Sequence, residues 1–177
     1  MLVTKIDPVG IDLAISKIQK SIYDNLVLLG WTNYEAYGRA VLNPKNKDRI
    51  PEVAVGRKEY KEVLFSDKFN ATSFFLVEDK RKFDALKSPD LFVDASIIFQ
   101  LKLNKLYPTI PHRADEEANK DCFESCLKYA KKVEGMQTGM GVYSSFSVSS
   151  ERLKLSDMSD FHILKIDFKI KHSFCNC

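Results

Sequence analysis

Apolar residues occupy every second position in Val93-Ala95-Ile97-Phe99-Leu101-Leu103 and again in Leu164-Ile166-Phe168-Ile170. Between the members of the first row stand Asp94, Ser96, Gln100, Lys102 and Asn104, and between those of the second Lys165, Asp167 and Lys169, with Lys171 beyond. A period of two with one dry and one wet row predicts half-exposed strands of an antiparallel sheet. Elsewhere the spacing changes to that of a helix. Ile11, Ile15, Ile18, Ile22, Leu26 and Leu29 form one stripe after Asp7-Pro8, and Gly30 supplies the stop. A second helix is predicted from His112-Arg113-Ala114-Asp115-Glu116-Glu117, where the acids suit the positive end of the helix dipole. Its small-residue face runs Ala114, Ala118, Cys122, Cys126 and Ala130, widened by Phe123, Leu127 and Val133, until Gly135, Gly139 and Gly141 end it.

Shorter strands are expected at Ile50–Gly56, Tyr60–Leu64 and Ser73–Val77, and Asn43–Arg49 has the composition of an exposed loop. Val142–Leu155 alternates weakly and is rich in serine, as a strand or hairpin arm would be. The fold expected is α+β: an antiparallel sheet of about four to six strands with two main helices packed on one face. At 177 residues the chain is read as a single domain, 1–177, with a charged loop or hairpin region at about 43–90 and a projecting arm at about 135–160.

Hydrophobic residues make up 45% and charged residues 29%, the balance of a folded chain rather than a disordered one. With 27 basic against 24 acidic residues, the net charge of +3 is too small for the field of a dedicated duplex binder. No window approaches the roughly 18 apolar residues of a membrane helix, so a cytosolic protein without membrane partners is expected. Cys122 and Cys126 stand one helical turn apart and are read as small core side chains; Cys175 and Cys177 offer no disulfide framework.

Candidate chemistry is thin. His112 and Glu116 share a helical face and could hold a metal, but a metal site recruits further ligands, and salt bridges at a helix start account for the group. His162 and His172 flank the last strand on its apolar parity, which predicts buried neutral imidazoles without a nucleophile nearby. Gly135-Met136-Gln137-Thr138-Gly139-Met140-Gly141 lacks the lysine of a phosphate loop and reads as a hinge or tip. No catalytic residue, cofactor or metal is therefore expected.

The charge-rich Arg57-Lys58-Glu59 and Glu78-Asp79-Lys80-Arg81-Lys82 interleave both signs, which suits solvated tips or an oppositely charged neighbour better than phosphate. Phe69, Phe74, Phe75 and Phe83 make the same region aromatic, either as core or as a surface that another subunit covers. The interface candidates are Arg57, Lys58, Tyr60, Phe69, Phe74, Lys80, Arg81, Lys82, Tyr143 and Phe146.

The order of helix, short strands around a charged loop, strong strand, long helix, strand and final strong strand resembles the tail-terminator or tail-completion proteins of tailed bacteriophages. The passage Phe99-Gln100-Leu101-Lys102-Leu103-Asn104-Lys105-Leu106-Tyr107-Pro108, followed by His112-Arg113-Ala114-Asp115-Glu116-Glu117-Ala118, is similar to strand-to-helix passages of phage neck proteins, those of crAss-like phages included. The resemblance implies a tail-terminator-like fold and a structural virion protein of the neck or tail, assembled in the host cytoplasm. Such a protein forms a homo-oligomeric ring, meets portal, connector or tail proteins, and surrounds the DNA passage, with a few lysines facing the lumen. This chain is longer than a compact terminator. A cellular α+β protein-binding module without catalysis is the alternative, and a small hydrolase or metal enzyme comes third.

Overall fold

A computed structural model describes residues 1–42, 50–56, 59–63, 66–83, 91–129, 133–139, 141–144 and 161–172, by backbone alone at 42, 79–83 and 143–144. The chain begins with β1 (Leu2–Val3), α1 (Ile11–Leu28) and β2 (Tyr34–Leu42), followed by β3 (Pro51–Gly56) and β4 (Glu59–Glu62). Then come β5 (Ala71–Phe83), β6 (Leu91–Leu101), the single-turn α2 (Leu103–Leu106), α3 (Asp115–Leu127), β7 (Val133–Thr138), the single-turn α4 (Gly141–Ser144) and β8 (His162–His172). The strands form one sheet in the order β4-β3-β2-β5-β6-β8-β7, with β1 beside β2.

The class is α+β, as the pattern predicts, but the sheet is mixed and, among the described residues, has eight strands rather than four to six antiparallel ones. Two pairs are parallel, β1 with β2 and β2 with β5. Parallel neighbours need a long crossover, and α1 provides it between β1 and β2. Gln19 of α1 ties that unit together: its Nε2 donates to Val3 O (2.9 Å) and Ala36 O (2.8 Å). The helix stops at the expected glycine. Gly30 takes φ 95°, while Trp31 N donates to Leu26 O and Gly30 N to Val27 O, the paired bonds of a left-handed helix end.

Helices α1 and α3 lie on one face of the sheet. There Ile11, Ile15, Ile22 and Leu26 of α1 and Ala118, Cys122 and Cys126 of α3 meet Phe75, Ile97, Phe99, Ile166 and Phe168. The two helices are also pinned side by side, with Asn25 Nδ2 donating to Ser125 Oγ (2.6 Å) and Lys128 Nζ donating to Asn25 Oδ1. The small faces of Ala118 and Cys122, both fully buried, let α3 approach closely. Burial pushes the Cys126 thiol up to about 12 and raises that of Cys122 well above its ordinary value, as expected of inert core side chains.

Two local expectations fail, the extent of the second helix and that of the first strong strand. The second helix ends at Leu127, and Val133–Thr138, read as helix end and hinge, is instead a strand paired with β8. Residues 135–138 are thus sheet edge rather than arm; α4 follows, and the rest of that proposed arm lies outside the described residues apart from Gly139. The first strong strand stops at Leu101, where the chain turns into α2. Within region 43–90 the three short strands expected from the sequence are present as β3, β4 and β5, the last of them longer than Ser73–Val77. Among the described residues no helix is long and apolar enough to cross a membrane.

Candidate interaction surface

The face of the sheet away from α1 and α3 divides into two ends. At one end the wet row of the sequence is dry. Phe74, Ile98 and Ile163 are buried there with Tyr37, Ala40, Val53, Val63 and Val142. The cover comes from the β3–β4 hairpin, whose Val53 pairs with Ala40, and from Val142 of α4. This corrects the expectation of strands half exposed along their whole length. It also corrects Phe74 as an interface candidate, because its ring is fully enclosed.

Polar groups trapped at this closed end are paired, as burial requires. Thr72 Oγ1 donates to Gln100 Oε1 (2.9 Å), and Gln100 Nε2 donates to Val63 O (3.0 Å), anchoring the chain just past the end of β4. Glu35, only 1% exposed, receives the Tyr37 hydroxyl and Lys61 Nζ, the latter at 3.0 Å. Burial and the Glu35 carboxylate together drive the Tyr37 hydroxyl far above its ordinary pKa. Lys61 Nζ also sits 5.2 Å from the centre of the Phe69 ring. The Glu35-Tyr37-Lys61 group was missed in the sequence, where Tyr34–Leu42 carries no clean alternation.

At the other end the face opens into a cleft of about 740 Å³ crossing β2, β5, β6, β8 and β7. Its charged lining is Arg39, Glu78, Asp94, Glu134, Lys165 and Asp167. Most of these charges are held in ion pairs, Lys165 with Asp167 and the others with residues outside the lining. Asp167 Oδ1 receives Ser96 Oγ (2.5 Å) and lies 2.9 Å from Lys165 Nζ, while Lys169 Nζ reaches Glu134 (2.5 Å) and Asp94 (3.7 Å). Hydrogen bonding to Glu134 raises the pKa of Lys169. Arg39 turns instead to Asp12 of α1, with Nε 2.8 Å from Oδ1.

The remaining interface candidates are scattered. Tyr60 is 59% exposed on the terminal strand β4, and Phe69 is half-buried near Lys61. Lys80, Arg81 and Lys82 lie on the distal half of β5, where Arg81 is in register with Val93 and Lys82 with Phe92, and Tyr143 lies in α4. Arg57, Lys58 and Phe146 fall outside the described residues.

The histidines divide. His112 is exposed, with Nε2 3.2 Å from Glu117 Oε1 rather than joined to Glu116, which is 3.4 Å from Asn119 Nδ2. Among the described residues no group of three or more His, Cys, Asp or Glu is arranged to hold a metal ion. His162 and His172 are both buried, as their parity predicts. His162 Nε2 donates to Asn119 Oδ1 (2.8 Å), and burial, reinforced by Arg113, lowers its pKa against the opposing pull of Asp115 and Glu116.

No protein-family model, curated protein or solved structure matches this chain.

Proposed function

We propose that this chain is a non-enzymatic structural subunit of a tailed-phage virion, forming a ring at the neck or tail terminus that joins the portal or connector to the tail around the DNA passage. What supports the reading, beside the resemblance of its element order, is the half-open sheet face. One end is sealed into core, and the other is a broad cleft most of whose charges are held in ion pairs within the subunit. Such a surface suits a partner that brings its own polar groups and fixes register through them. The Glu35-Tyr37-Lys61 group joins β2 to β4 rather than lining the cleft. A closed ring gives each subunit two interfaces, so modest affinity per contact suffices.

The full chain, purified and measured by light scattering and negative-stain microscopy, is expected to give a high-mass annular species, or to form one on a portal partner. A monomer under every condition that is also absent from purified virions would overturn the reading. A monomer that captures one partner through the cleft would instead favour the cellular binding module.

A further inference from the structure

Two strands end the sheet, β4 on one side and β7 on the other, and among the described residues neither has a neighbour on its outer edge. Unpaired edges are templates for another strand. Their directions follow from the pairing. From β7 through β8, β6 and β5 every step is antiparallel; β5 to β2 is parallel; β2 to β3 and β3 to β4 are antiparallel again. Thus β4 and β7 run in opposite directions within one subunit. Rotation about an axis along the strands preserves direction, so a neighbouring copy presents its β7 antiparallel to β4.

We propose that copies of this chain join head to tail by antiparallel pairing of β4 with β7 of the next copy, an inference that rests on the ring-subunit reading above. The faces select the register. Met136 is opposite Ile166, which belongs to the helix-side core, so Met136 faces the helix side. Lys61 is opposite Val53 of the other core, so its neighbour Tyr60 faces the helix side too. Residues facing each other in a ladder share a face. Aligning Tyr60 with Met136 therefore keeps both sheets continuous and covers two side chains that are 59% and 48% exposed. It also sets Lys61 against Gly135, which has no side chain to obstruct it, and Glu59 against Gln137. Glu134, next in line toward Glu62, is already held by Lys169 at 2.5 Å. The four-residue length of β4 keeps a single junction weak, so closure of the ring supplies the stability.

The test uses the full chain with Cys175→Ser and Cys177→Ser, carrying either Tyr60→Cys or Met136→Cys. Mild oxidation of the two variants mixed is expected to give covalent dimers that neither gives alone, and the double variant a ladder of higher oligomers. In the wild-type chain, amide exchange in both β4 and β7 is expected to slow by about tenfold or more on assembly. Self-linking of one variant alone would replace the proposal with two-fold edge pairing. A high-mass species without cross-links and without edge protection would overturn the edge pairing and leave the ring standing. A monomer that persists under every condition and is absent from purified virions would overturn both.

Discussion

Strands β6 and β8 carry an apolar row along their length on the helix side, yet the two ends of the outer face they share with β5 have opposite fates. Around Phe74, Ile98 and Ile163 that face is core, while two to four residues along the strands it is an open cleft holding Ser96, Asp94 and Asp167. The difference lies in what covers the face. The β3–β4 hairpin and α4 reach one end and not the other among the described residues, so Gln100 and Thr72 must satisfy each other while Asp167 can use a lysine and a serine at its leisure. A single sheet thus carries a sealed apolar end and an open polar end on one face.

The sharpest way to break this comparison is to substitute within one cross-strand row. Phe74, Ile98 and Lys165 stand in register on neighbouring strands. Phe74→Ala is expected to cost about 3–5 kcal/mol in chemical denaturation, because it empties a fully buried site. Lys165→Ala, at the cleft, is expected to stay within about 0.5 kcal/mol of wild type. Equal effects would mean that the two ends are not energetically distinct.

A smaller effect probes the polar side of the closed end. Tyr37→Phe removes the hydroxyl that Glu35 receives while leaving the carboxylate buried, and is expected to cost about 1–3 kcal/mol in the same assay. A neutral result would mean that Lys61 alone satisfies Glu35.

The smallest effect is one of pH and belongs to the helix side. His162 has its folded pKa below the ordinary 6.5, so as pH falls the unfolded chain takes up the proton first. Its stabilising contribution is complete above about pH 6.5 and is lost as pH drops below that value toward the folded pKa. The difference in Tm between wild type and His162→Gln is therefore expected to narrow on acidification, measured by thermal unfolding across that range. A constant difference would show that the imidazole does not titrate differently in the two states.

Much of the frame is readable along the chain. The stripe Ile11 to Leu26 and the stop at Gly30 identify α1, and the rows Val93–Leu101 and Leu164–Ile170 identify β6 and β8, because each element shows its own period to one continuous core. Cys122 and Cys126 are legible as core for the same reason. What escaped is β2. Its bulge between Ala36 and Arg39 and its burial on both faces erase the alternation from which a strand is recognised. With β2 unread, the parallel pairings, the anchorage of β3 and β4, and the Glu35-Tyr37-Lys61 group were unreadable as well. Phe74 illustrates the limit: an aromatic beside charged residues reads equally as core or contact until its cover is known.

The amino-acid order by itself determined the α+β class, the principal helices and strands, and the helix-side core, since those follow from periodicity within single segments. Only the tertiary structure decided the mixed strand order, the end of α3 at Leu127, the conversion of Val133–Thr138 into an edge strand, and the division of the outer face into core and cleft. Each of these depends on segments distant in the chain competing for the same hydrogen bonds or the same apolar cover, and no local pattern records which of them prevails.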